Sequence, residues 1–175
     1  MATQRVRQCV DNGAALGGNE TVPQTAFPGN ILWGDTTARA ILAGEVGELK
    51  EAYAGSTVSL TTATIADITS LGLTKGVWEA TVVARFAPAA TTTITDLEAF
   101  IGTATGNVST GRDYDRNVAR LKFNALVLNA GETIISSPPF RITLATDTTY
   151  YAKAVATFAT STLTVRGGIR AVRIK

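Results

Sequence analysis

Two stretches of this chain alternate apolar and polar residues at every second position, and that period excludes a helix over either. In Val77–Phe86, Trp78, Ala80, Val82, Ala84 and Phe86 share one face, and Glu79, Thr81 and Arg85 the other. The pattern repeats later, with Tyr150, Ala152, Ala154, Ala156 and Phe158 against Tyr151, Lys153, Val155 and Thr157. Successive side chains of a strand point to opposite faces, so each stretch reads as a half-buried strand. The composition agrees. Thr numbers 28 and Ala 27 among 175 residues, while charged residues make up 17%. Abundant Thr and Val favours strands, because β-branched side chains suit a pleated surface and lose χ1 freedom in a helix.

Further strands are expected at Thr57–Thr62, Ala63–Ser70, Arg120–Leu128, Thr133–Ile135, Phe140–Ala145 and Thr162–Lys175. Turn signals stand at Lys75-Gly76, Asn129-Ala130-Gly131, Ser137-Pro138-Pro139 and Gly167-Gly168. Pro88–Asn117 reads as the least regular region: a strand near Thr91–Glu98 running into a turn, then a long surface loop over Gly102–Asp115. Roughly eight short strands without long helical patterns between them predict an all-β fold, an antiparallel β-sandwich or jelly roll.

The first part of the chain reads differently. Asn12-Gly13, Gly17-Gly18-Asn19, Pro23 and Pro28-Gly29-Asn30 interrupt it before any period is sustained. Residues 1–54 are expected to form an extended N-terminal arm, with a short helix within Thr37–Tyr53, and residues 55–175 the sandwich. Phe27, Ile31, Leu32 and Trp33 are too few to bury much surface alone, so they need another surface to cover them. Arg5 and Arg7 near the tip read as docking contacts.

Catalytic equipment is scarce. The chain has no histidine, which removes the commonest general base and neutral metal ligand, and the single Cys9 supports neither an internal disulfide nor a Cys-rich metal site. Sixteen Lys and Arg against 14 Asp and Glu give a net charge of +2, too small to announce a nucleic-acid or membrane partner. No signal-peptide pattern or membrane-length apolar run is visible. Gly13, Gly17 and Gly18 lack the Lys-Ser/Thr of a phosphate loop. Asp113 and Asp115, flanked by Arg112 and Arg116, fall well short of a calcium ligand set. As glycosidase acids they carry no argument, because spacing in sequence says nothing about the separation that mechanism needs. No cofactor is expected, and the chain reads as a non-enzyme.

The order of segments from Val58 onward resembles that of tailed-bacteriophage and prophage virion proteins. The resemblance rests on the Ser59-Leu60-Thr61-Thr62 strand, the Leu73-Thr74-Lys75-Gly76-Val77-Trp78 turn and strand, and Thr148-Thr149-Tyr150-Tyr151 leading to Ala156-Thr157-Phe158. It ends on the basic run Gly168–Lys175 and spans about residues 55–175. It implies a jelly-roll domain assembling as a homotrimer in the virion. Arg166-Gly167-Gly168 departs from the family's aromatic and single glycine, and the arm has no counterpart.

These readings converge on a capsid decoration, or cement, protein made in the host cytoplasm. Its trimer would sit on the outer capsid surface and its arm would dock on the major capsid protein through Arg5, Arg7, Phe27, Ile31, Leu32 and Trp33. Neither nucleic acid nor membrane is an expected partner. Arg166, Arg170 and Arg173 are expected at the trimer interface, with Arg166 and Arg170 on one strand face and Arg173 on the other. Arg112, Asp113, Tyr114 and Asp115 would form a surface recognition loop. The alternative is a tail-fibre or receptor-binding tip in which that loop meets a host-surface glycan.

Overall fold

The computed structural model describes residues 41–113, 117–129 and 131–175. All lie in the second of two compact units, Ala40–Lys175. The strands are β1 (Leu49–Tyr53), β2 (Val58–Ser59), β3 (Ala66–Leu73), β4 (Gly76–Pro88) and β5 (Thr93–Gly102), followed by β6 (Val118–Val127), β7 (Thr133–Ser136), β8 (Phe140–Leu144), β9 (Thr148–Ala159) and β10 (Leu163–Arg173). No helix occurs among the described residues.

The alternation in β4 and β9 does what its period requires. Trp78, Ala80, Val82, Ala84 and Phe86 are fully buried, and Ala152, Ala154 and Ala156 meet them from the other sheet's core. Alanine at the centre of both sheets lets them close together, while Trp78, Phe86, Leu73 and Ile101 fill the wider ends. Such large and small side chains interdigitate at interior packing density.

All pairings are antiparallel. One sheet has the order β1-β10-β4-β7, with β2 also on β10 and β8 also on β4; the other has the order β3-β9-β5-β6. β1 and β2 run successively along the same side of β10, and β7 and β8 along the same side of β4. Each couple is therefore one broken edge strand. With each couple taken as one position, the pairings nest: β1/β2 with β10, β3 with β9, β4 with β7/β8, β5 with β6. Nested pairing is what results when one long antiparallel hairpin is rolled up, so the sandwich is a jelly roll.

Several expectations are corrected. Leu49–Tyr53 is a strand and not part of a helix, because its residues pair in register with Val172 to Gly168. The sandwich therefore begins before residue 55. Gly167-Gly168 is not a turn but the middle of β10, paired to Ala84 and Val83. β5 runs on to Gly102, buried on both faces from Leu97 onward, where an irregular stretch was expected.

The broken edges have local causes. Pro138 and Pro139 have no N–H to offer between β7 and β8. Ser137 fills the gap: its Oγ accepts from Val82 N–H at 3.0 Å and its own N–H donates to Val82 O at 2.9 Å. On β6, residues 123–125 oppose the single Thr95, with Ala125 at φ 58. Breaks, prolines and bulges of this kind keep edges from templating further strands.

Candidate interaction surfaces

The outer faces of the two sheets differ. On the β3-β9-β5-β6 sheet, the segment after Gly102 folds back over the strands as a flap. Lys153 points outward from β9 yet is 0% exposed, because the flap covers it. Its Nζ donates to Asp67 Oδ1 at 2.5 Å and to Gly106 O at 2.8 Å. Asp67 in turn accepts from Thr105 Oγ1 at 2.6 Å and Gly106 N–H at 2.7 Å, and Asn107 Oδ1 accepts from Ile65 N–H at 3.0 Å. Burial pushes the Asp67 carboxyl up, but the bonds from Lys153, Thr105 and Gly106, with the Lys153 charge, hold it below its ordinary value.

The returning limb is pinned as firmly. Arg112 pairs with buried Glu98 and its guanidinium lies 5.0 Å from the centre of the Phe100 ring. Arg120 reaches Glu98 at 3.0 Å and Asp96 at 2.6 Å. Gly102 allows this contact, since a Cβ there would come within 2.8 Å of Thr110 O and 2.9 Å of Lys153 Cε. Arg112, expected to face a ligand, thus turns inward and holds the flap. Asp113 is half-buried at the flap's end; Tyr114 and Asp115 lie outside the described residues.

The outer face of the β1-β10-β4-β7 sheet has no such cover among the described residues. Tyr53, Gly168 and Val83 form one row across it, and Tyr53 is 60% exposed. The Tyr53 ring lies over Gly168, where a Cβ would come within 2.2 Å of it. Leu49 and Ile134 add apolar surface on either side, Ile134 being 65% exposed. Arg166 and Arg170 lie on this face, Arg170 3.2 Å from Glu51 and Arg85 paired with Glu132. Sequence reasoning found the two arginines and missed Tyr53, which a helix had been expected to absorb.

Arg173 is elsewhere. It closes β10 on the core side, 5% exposed, which corrects its grouping with Arg166 and Arg170. Its Nε donates to Glu48 Oε2 at 2.9 Å, Nη1 to Lys75 O at 2.7 Å and Nη2 to Thr74 Oγ1, while its guanidinium stacks 4.3 Å from the Trp78 ring centre. Burial raises the Glu48 carboxyl, but Gly44 N–H and Arg173 more than reverse this and hold it low. All three of its guanidinium nitrogens are thus engaged within its own chain. Arg5, Arg7, Phe27, Ile31, Leu32 and Trp33 lie outside the described residues.

A cavity of about 630 Å³ lies between the end of the flap, at Gly111 to Asp113 with Asn117, and the start of β8 at Pro138 to Arg141. Among the described residues no cluster of His, Cys, Asp and Glu is placed to hold a metal ion, and no helix is long and apolar enough to cross a membrane.

No family model matches the chain, and no curated protein does. Among solved structures, a chain from the infectious bursal disease virus Gx strain is similar at a TM-score of 0.40 and 11% identity, over 74% of this chain and 34% of that one. The present chain thus spans about a third of that neighbour's length, and the likeness is weak.

Proposed function

We propose that this chain is a structural protein of a bacteriophage virion, a decoration or cement protein. In this reading it acts as a homotrimer on the outer capsid surface, with the N-terminal arm gripping the major capsid protein. It is not an enzyme, and it contacts neither nucleic acid nor membrane. The observation that carries the reading is the inequality of the two sheet faces. One is covered around Lys153 and Glu98 by the chain's own flap, where Lys153 pairs with Asp67 and Glu98 with Arg112. The other leaves Tyr53, Val83, Leu49 and Ile134 in the open beside Arg166 and Arg170. Apolar surface rimmed by charge is characteristic of a surface that meets another protein. The motif order resembling phage virion proteins, on a jelly roll, supports placing that protein in a particle.

A decoration protein adds buried area between shell subunits that packaged DNA tends to push apart. Several arms acting from one oligomer bind far more tightly than one, because later contacts are intramolecular. Binding of the full-length protein to undecorated capsids tests this, with native mass measured in the same buffer. Saturable binding by a trimer, lost when Phe27, Ile31, Leu32 and Trp33 are replaced together by serine, is the expected result. A monomer that ignores capsids would overturn it. The alternative, a tail-fibre tip recognising a host glycan, draws on the cavity beside Arg112 and Asp113.

A further inference from the structure

We propose that the two lateral edges of the open sheet face fit each other, so that copies of this chain join head to tail, with β7 and β8 of one against β1 of the next. The inference rests on the reading of the chain as a homotrimer and names the surface that closes it. Tyr53 stands on β1 at one side of the face and Ile134 on β7 at the other, each more than half exposed. Val83, on β4 between them, carries the apolar surface across the sheet. A band of this kind that reaches both edges offers a neighbour contact on either side.

The ladder fixes the level of each residue along the strands. Ile134 opposes Arg85, and Tyr53 lies through Gly168 in the row of Val83. Arg141 opposes Glu79, and Glu51 lies through Arg170 in the row of Thr81. Ile134 and Tyr53 are thus two residues apart in level, about 7 Å, and so are Arg141 and Glu51. A rotation axis along the strands preserves level, so one contact brings Ile134 to Tyr53 and Arg141 to Glu51. Pro138 and Pro139 interrupt the ladder between β7 and β8, which leaves side chains and not strand pairing to make that contact.

Charge agrees with the pairing. Arg141 is exposed, and among the described residues no carboxylate pairs with it, its ladder partner Glu79 included. Glu51 shares an exposed pair with Arg170 at 3.2 Å, and a carboxylate has acceptor sites for a second guanidinium. Glu98 of this chain takes two, Arg112 and Arg120. The edges are unlike, one acidic and one basic, and that selects the symmetry. A two-fold contact between like edges would set Arg141 against its own copy. A head-to-tail contact joins unlike edges and closes as a ring when the rotation allows, as a trimer requires.

Sedimentation velocity and native mass of the full-length protein test this, beside binding to undecorated capsids. Ile134→Asp is expected to release monomers at concentrations where the parent is trimeric, with the circular dichroism of the parent. Arg141→Glu and Glu51→Arg should each weaken association about 10-fold or more, and the two together should regain most of the loss. A trimer that survives all three single changes would overturn the inference and leave the trimeric reading in place, closed by another surface. A double change no better than the worse single one would overturn it too, because the edges then do not meet. A parent that is monomeric yet saturates capsids would sink the inference and cost the cement reading only its trimer. A monomer that ignores capsids would end both.

Discussion

At the scale of single residues, the most demanding positions are those where a side chain has no room or no substitute. Gly167 lies so close to β4 that a Cβ would come within 2.0 Å of Val83 O, a backbone atom that cannot swing aside. Gly55 has nothing within 4 Å of the same position. Gly167→Ala is expected to cost about 1–3 kcal/mol as an overpacked site, and Gly55→Ala to stay within about 0.5 kcal/mol. Urea midpoints at a common slope measure the difference. Arg173 is the charged counterpart. Replacing it by Leu strands Glu48 in the interior and removes the cation over Trp78, an expected loss of about 3–5 kcal/mol. Arg166→Ala, on the open face, should leave stability nearly unchanged. The charges of Arg166 and Arg173 are equally visible in the sequence. Which one is interior was legible only as the alternation along β10, since the depth of Arg173 depends on Glu48, 125 residues away.

At the scale of elements, the flap and the broken edge make separate predictions. Asp67 is held below its ordinary value of 3.8 in the folded chain. A depressed carboxylate contributes stability above its unfolded pKa and loses it as the pH falls through the folded one. Amide exchange in residues 103–112, corrected for intrinsic rates, should therefore accelerate below about pH 4 before the amides of β4 follow. Asp67→Asn, which leaves Lys153 buried without its counter-charge, should lose that protection already at neutral pH. An unchanged flap in the variant would show that Lys153 does not hold it. At the other edge, Ser137→Ala removes the acceptor of a buried N–H. It is expected to cost about 1–3 kcal/mol, read as a lowered Tm. Neither element was legible in full. The prolines marked the break, but the loop was expected on the surface because nothing local says that Lys153 and Asp67, 86 residues apart, meet beneath it.

At the scale of the whole molecule, the jelly roll ties its first strand to its last. β1 lies along β10, Arg173 N–H donates to Glu48 O at 2.8 Å, and Gly47 N–H donates to Arg173 O at 2.7 Å. A chain starting at residue 55 lacks β1 and Glu48. It is expected to lose the cooperative transition expected of the full chain, whereas the reading of the sandwich as residues 55–175 would have it fold normally. Circular dichroism on heating separates the two. The sequence by itself determined the class of fold, because period-two burial is a local property: which face of β4 or β9 is apolar depends only on neighbouring residues. It also determined the small-residue core, since alanine recurs on those same faces. The tertiary structure alone decided which strands pair, which outer face the flap covers, and where each charge ends. Those depend on contacts between residues far apart in the chain, such as Glu48 with Arg173 and Asp67 with Lys153, whose stability comes from burial that no single segment possesses.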